Sequence, residues 1–188
     1  MRRMILLVSF VTFVLASCGL GENRENGTSG TDDYVVANSS SETVEGDFVY
    51  RLVSEEEEYL QREEVKIYAE LEYIGDKEEI TIYHAASPFY FPMKEKTREY
   101  SIEYAMNEPL LSTTLTKGEP LQEYYQGSGG YGSNDDKDYI NFMKKIMKNK
   151  FPVGYYEVLG SAEFFVEISE NENGTYKLNA LIDFKVKN

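Results

Sequence analysis

From residue 47 onward the chain alternates between apolar and polar positions. Val65, Ile67, Ala69, Leu71 and Tyr73 are separated by Lys66, Tyr68, Glu70 and Glu72, the period of two required of a strand with one buried face. Gly75-Asp76-Lys77 interrupts the run, and Ile80 and Ile82 resume it, which predicts a hairpin. Tyr100, Ile102 and Tyr104 alternate again. Ala162, Phe164, Val166 and Ile168 share one face, with Glu163 and Glu167 on the other. Tyr176, Leu178, Ala180, Ile182, Phe184 and Val186 make the last run. Asn173-Gly174 lies between those two runs, and both residues tolerate the positive φ of a two-residue hairpin turn, so the turn is expected there. The many Tyr, Phe, Val and Ile residues suit half-buried strands.

Two stretches depart from this period. Ser54, with Glu57 three residues on, has the spacing of a helix capping box. The acidic run 55–58 reads better as a solvated turn between the first two strands. The second departure, 135–149, places Tyr139, Ile140, Phe142, Met143, Ile146 and Met147 at helical spacing opposite Lys144, Lys145 and Lys148. Acids at its start and lysines at its end suit the helix dipole. This predicts an amphipathic helix of about four turns, packed on a sheet face or closing one end, and stopped by Pro152.

At the other end of the chain, Arg2 and Arg3 precede an apolar run from Met4 to Ala16. It has the length of a signal-peptide core and falls short of the ~20 apolar residues that span a bilayer as a helix. The run closes on Leu15-Ala16-Ser17-Cys18-Gly19, which resembles the lipobox of bacterial lipoproteins and contains the only cysteine. That resemblance implies cleavage between Ser17 and Cys18 and a diacylglycerol thioether on Cys18, with a third acyl chain on its amino group left open. Two chains suffice for stable anchoring, since each buried methylene contributes about 0.8 kcal/mol. A secreted chain with one cysteine also has no internal disulfide to make. The expected place is therefore the extracytoplasmic face of the cell membrane of a Gram-positive-type bacterium, with the acyl chains as membrane partner.

Residues 1–17 are thus expected to be a signal peptide, 18–45 a lipidated cysteine with a flexible tether, and 46–188 one folded domain. The tether stretch is mostly Gly, Ser, Thr, Asn, Asp and Glu, with one apolar cluster, Tyr34 to Ala37. Such composition buries too little to offset the entropy of ordering, and about 25 residues reach roughly 25–30 Å. The 188-residue chain carries 33 acidic against 19 basic side chains, a net charge of −14. Cleavage before Cys18 removes Arg2 and Arg3 and no acid, leaving −16. Charge of this sign excludes nucleic acid as a partner and a domain lying flat on anionic lipid, and favours solubility.

Several antiparallel strands with short turns predict a mainly β protein, a β-sandwich with one inserted helix. The expected hairpin Glu70 to Phe91, the turn Leu115-Thr116-Lys117-Gly118-Glu119, and Phe151-Pro152-Val153-Gly154-Tyr155-Tyr156 before a strand resemble the immunoglobulin-like domain of the intracellular proteinase inhibitor family of bacilli. The resemblance implies an immunoglobulin-like fold and suggests inhibition of a protease. It departs from the family in lacking tryptophan, in the Gly-rich loop and helix at 127–149, and in the residue between Pro152 and Gly154.

Candidate chemistry is sparse. His84 is the only histidine, so a His-based metal cluster or a Ser-His-Asp triad would rest on it alone. The sequence shows no partner positioned for it. No cofactor is expected. The stretch 124–138 is the most distinctive surface: Tyr124, Tyr125 and Tyr131 among glycines suit a recognition loop, since aromatic rings give contact area at low entropy cost. Asn134, Asp135, Asp136 and Asp138 are a weak candidate for calcium, although their spacing does not fit an EF-hand. A non-catalytic interaction domain with an envelope or secreted protein partner is the reading these residues favour. The alternatives are an inhibitor or chaperone-like binder of an exported protease or other envelope protein, and, third, an envelope hydrolase.

Overall fold

A computed structural model describes residues 30–169 and 172–188. Twelve strands and one helix occur among them: β1 (Ser40–Glu45), β2 (Phe48–Ser54), β3 (Glu58–Leu60), β4 (Ile67–Tyr73), β5 (Glu79–His84), β6 (Phe89–Tyr90), β7 (Met93–Glu95), β8 (Tyr100–Ile102), β9 (Leu111–Thr116), β10 (Leu121–Tyr124), α1 (Lys137–Ile146), β11 (Gly154–Ser169) and β12 (Glu172–Lys187). They form a four-stranded sheet in the order β1-β2-β4-β10 and an eight-stranded sheet whose main path is β3-β12-β11-β5-β9. The side of β11 away from β12 is shared in turn by β7, β6 and β5, and β8 continues from β7. Pairing within the sheets is antiparallel except between β3 and β12. The chain is mainly β, as its alternation predicts.

The core lies between the two sheets. Even-numbered residues of the long β11–β12 hairpin point inward, among them Tyr156, Val158, Ala162, Leu178, Ile182 and Phe184, and meet Phe48, Tyr50 and Leu52 of β2 and Ala69 and Leu71 of β4. Tyr156 and Phe184 stack at 5.1 Å, and Phe48 meets Phe164 edge-on at 4.8 Å. Ile168, expected on the inward face, is exposed near the hairpin end.

The strands at 67–73 and 79–84 do not form the expected hairpin. β4 pairs with β2 and β10, whereas β5 pairs with β9 and β11, so the link between them crosses from one sheet to the other. The Tyr73 ring fills the inside of this corner. It lies against the backbone of Gly75 and its hydroxyl accepts from Lys77 N at 3.3 Å.

The β11–β12 turn is also displaced from Asn173-Gly174. Glu167 pairs with Asn173 and Val166 with Gly174, and Ser169 is already opposed to Glu172. Parity explains the need for a correction. Inward residues on both arms carry even numbers, so even must pair with even. A two-residue turn at 173–174 would oppose 172 and 175 and set one arm's inward face against the other's outward face. The observed turn opposes Ser169 and Glu172, which is also odd against even, and an irregularity between Glu167 and Ser169 restores the register.

Two boundaries move. Residues 34–45 belong to the folded part and not to a tether: β1 pairs with β2 along its length, Tyr34 stacks on Tyr155 at 4.5 Å, and the amides of Ala37 and Asn38 bond the Asp183 carboxylate. β1, Ser-Ser-Glu-Thr-Val-Glu, is polar because it is a sheet edge with little to bury. The helix is shorter than the expected 135–149. Asp136 caps it, accepting from Asp138 N at 2.8 Å, and the left-handed Asn149 (φ 55°) turns the chain away after the last turn. Phe142, Met143 and Ile146 are buried, while Met147, expected in the apolar stripe, is exposed. Residues 55–57 of the acidic run form the solvated turn, tied by Ser54 Oγ donating to Glu56 O at 2.8 Å, while Glu58 already belongs to β3. No helix among the described residues is long and apolar enough to cross a membrane.

Four buried tyrosines make the fold sensitive to alkali. Burial raises the phenols of Tyr50, Tyr156 and Tyr155, the last helped by its bond to Asp183, and pushes Tyr125 up to about 12. In the unfolded chain these groups ionise near pH 10. Below that pH both states hold the proton and the full stability is present. As pH rises toward the folded values, only the unfolded chain releases it, so stability falls by about 1.4 kcal/mol per pH unit per group. The melting temperature should be flat from pH 8 to 9.5 and drop steeply between about 10.5 and 12. Tyrosinate absorbance for these four should appear together with unfolding. Their gradual ionisation near pH 10 in the folded protein would contradict it.

Candidate functional site

The outward face of the eight-stranded sheet carries exposed apolar side chains among its polar ones. Outward positions of β11 and β12 carry odd numbers, and the directly paired Leu159 and Leu181 are 58% and 50% exposed there. Phe165, also outward, stacks on its cross-strand neighbour Tyr83 at 5.0 Å. Tyr90 of β6 meets Tyr104 edge-on at 6.1 Å. Between them Lys177 Nζ and Glu163 Oε1 form an ion pair of 2.7 Å, and Ser161 Oγ donates to the same oxygen at 3.0 Å.

This ridge divides an open groove into two depressions that share Tyr90, Glu163 and Lys177. One, of about 420 Å³, is lined by Tyr83, Leu110 and Phe165. The other, of about 330 Å³, is lined by Pro92, Tyr104 and Leu159. Burial, followed by the carboxylates of Glu163 and Glu108, raises the Tyr90 phenol, and burial with Glu123 raises that of Tyr104. Both remain protonated at neutral pH and present an O–H beside an aromatic wall. The arrangement supplies rings, exposed aliphatic side chains and one ion pair along an extended track. Such a surface binds by contact, with a few polar groups to orient the ligand.

The residues singled out in the sequence are not gathered into one site. His84 sits on β5, where Nδ1 donates to Ala85 O at 2.9 Å and Nε2 accepts from Thr113 Oγ1 at 2.8 Å. Both ring nitrogens serve the sheet. The three tyrosines of the expected recognition loop separate. Tyr124 ends β10, is exposed, and donates to Glu55 Oε1 at 3.1 Å. Tyr131 is exposed, with Lys144 Nζ 5.6 Å from its ring centre. Tyr125, however, is 3% exposed and packs among Phe91, Tyr104 and Phe151, with its hydroxyl accepting from Ser128 N. It is core. A loop residue lacks the periodicity that would have told inside from outside.

The calcium candidates are spent on local structure. Asp136 caps α1, and Asp135 Oδ2 accepts from Gly132 N at 2.6 Å, leaving Asn134 and Asp138 on the surface. Among the described residues no group of three or more His, Cys, Asp or Glu side chains is placed to hold a metal. Ser17 and Cys18 lie outside the described residues.

Sequence reasoning missed the groove, although one signal points to it. Phe164-Phe165 and Leu181-Ile182 are apolar doublets inside alternating strands, and in a strand one member of each must face outward. The fold and this groove define a two-sheet β protein with an open contact surface on its larger sheet. Comparison with family models, with curated proteins and with solved structures finds no match.

Proposed function

We propose that the protein is a lipid-anchored extracytoplasmic lipoprotein whose sandwich is a non-catalytic interaction domain of immunoglobulin-like kind. Anchoring rests on Leu15-Ala16-Ser17-Cys18 after its apolar leader. The immunoglobulin-like reading is supported by two facing sheets, antiparallel but for the β3–β12 pair, and by Pro152-Val153-Gly154 opening the closing hairpin. The observation that carries the interaction role is the groove, where Leu159, with its cross-strand neighbour Leu181 beside it, and Leu110 just before β9 are exposed next to four aromatic rings. Exposed apolar patches rimmed by polar groups mark interaction sites on soluble domains. The partner is an envelope or secreted protein. The groove follows the strands, which also favours the second reading, a binder or inhibitor that holds an extended segment of an exported protease or other envelope protein.

Two experiments test this. Native Cys18 should carry two or three acyl chains by mass spectrometry, and Cys18→Ala should move the protein out of the membrane fraction. An unacylated Cys18 on a chain that keeps its first 17 residues overturns the anchoring. For the groove, a photo-cross-linking residue at Leu159 or Tyr83 should give a discrete adduct in cells that Leu181→Asp suppresses at least tenfold. The same adduct from a position on the far side, such as Glu64, removes the groove from the account.

A further inference from the structure

We propose that two copies of this chain associate through the free edge of β9, antiparallel about a two-fold axis at Ser112. The phase of the β5–β9 ladder fixes which backbone groups are free. Lys117 N donates to Glu78 O at 2.9 Å, and Glu79 lies opposite Thr116. In an antiparallel pair alternate residues exchange both bonds. Leu111, Thr113 and Leu115 therefore bond to β5, while Ser112 and Thr114 turn their N–H and C=O away from the sheet. No described residue bonds to those groups. The free stretch ends at the corner, where Gly118 N donates to Tyr73 O at 3.0 Å and Glu119 N to Thr116 O at 3.1 Å.

Natural sheets guard such edges with charge, proline, shortness or a cover. Here β1 carries Glu42 and Glu45, β3 has three residues including Glu58, and β10 is short, follows Pro120 and carries Glu123. β8 is covered by α1, whose Tyr139 hydroxyl donates to Ser101 O at 3.2 Å. β9 and the preceding Leu110 carry no charge and no proline. The edge is open.

Charge selects the occupant. A chain of net −14 repels its own kind wherever acids face outward, so a second copy can approach only along an uncharged stretch. A basic partner strand would be drawn instead to the acidic edges. The chemistry is also self-complementary. An axis at Ser112 sets Ser112 against Ser112 and Leu110 against Thr114, closing about six backbone bonds and using the free groups without reaching the blocked corner. It covers Leu110 and Leu111, which are 71% and 45% exposed, and joins the two large sheets into one. Five paired residues bury less than the ~1,200 Å² of a stable interface, so the dimer is concentration-dependent. This holds whether or not the chain is lipidated and whatever the groove binds.

Disulfide trapping in the full chain tests the pairing, with the parent, whose only cysteine is Cys18, as background. Ser112 is exposed and bonds nothing with its hydroxyl among the described residues. Directly opposed Cα atoms in a hydrogen-bonded pair lie about 5.5 Å apart, inside the disulfide range. Ser112→Cys should therefore form dimer as the main product of mild oxidation. Thr81→Cys, one strand inward on the same face, should stay monomeric, because three strand spacings of about 4.8 Å separate the two copies. Thr114→Pro removes an outward donor and no backbone bond to β5, only the exposed 3.4 Å hydroxyl contact with Thr81, so it should cut the Ser112→Cys dimer at least tenfold with an unchanged circular dichroism spectrum. Leu110→Asp alters only an exposed side chain and should do the same if the proline variant does not fold. A folded Ser112→Cys that remains monomeric, a Thr81→Cys that cross-links equally, an adduct with another protein in place of the dimer, or indifference to both blocking variants overturns the proposal.

Discussion

Asp183→Ala is expected to destabilise the protein by about 3 kcal/mol, roughly 10 °C in melting temperature for a chain of this size. It should also free the segment before β1 while the rest of the sheet persists. Asp183 is 5% exposed, yet its carboxylate accepts from Ala37 N, Asn38 N and the Tyr155 hydroxyl, each at 2.7 Å. A fourth bond, Asp183 N to Asn38 O at 2.9 Å, runs the other way. Removing the side chain leaves three donors without their acceptor, and hydrogen bonds to a charged group are worth about 1.5–3 kcal/mol each before water partly replaces them. Tyr34, stacked on Tyr155 and donating to Lys96 O at 3.0 Å, loses its support at the same time. Amide exchange at Ala37 and Asn38 should rise by at least two orders of magnitude, ahead of exchange in β11. Asp183→Asn should fall between, since it keeps one acceptor oxygen but aims an NH₂ at a donor. A melting temperature within 2 °C of the parent, with those amides still protected, would refute the clamp. The segment it fastens, residues 37–38, lies ahead of β1, so the lipid anchor proposed above would pull on the fold through Asp183.

Asp183 also shows what was hidden from sequence reading. It sits among strand residues as one of 33 acids, and only the return of residues 37–38 across the sheet makes it a buried acceptor. Glu95 is the same case: it is fully buried, capping a turn by accepting from Thr97 N at 3.0 Å, Arg98 N at 2.9 Å and the Thr97 hydroxyl. Alternation predicted β4, β11 and β12 because an inward face must be apolar at every second residue whatever it packs against. It was silent on sheet membership. Ile80 and Ile82 alternate equally well beside β4 or across the sandwich from it, and Tyr73 against Gly75 decides the matter. The groove was half legible. Phe165 and Leu181 stand out as apolar residues on a polar face, but Tyr83 and Tyr90 reach it only because β5 and β6 share one side of β11, and Tyr104 only because the chain after β8 returns to meet Tyr90.

Gly160→Val should be the most damaging single change, costing about 4 kcal/mol or preventing folding. Gly160 lies at an inward position of β11, opposite Ala180, where side chains of β2 pack directly on its backbone. A Cβ there would stand 2.6 Å from the Tyr50 hydroxyl oxygen and 2.8 Å from Leu52 Cδ2, and both side chains are fully buried in β2. Ordinary packing needs about 3.5–4.0 Å, so the sheets would have to part or Tyr50 leave its place. The gain in strand propensity from glycine to valine is at most about 1 kcal/mol and cannot offset this. Gly160→Ala adds one methyl and should cost about 2 kcal/mol. The Tyr50 oxygen is buried without a hydrogen-bond partner among the described residues, so Tyr50→Phe removes the nearest obstacle at little expense. The double variant should therefore be more stable than the two single effects predict, by at least about 0.5 kcal/mol, the size of coupling expected for residues in contact. Denaturant melts of the four proteins measure this cycle, and strict additivity would mean that Gly160 is not the point on which β2 rests. Because Leu159 and Ser161 on either side face outward, a folded Gly160→Ala should lose stability while keeping its groove contacts, which separates the two roles of β11.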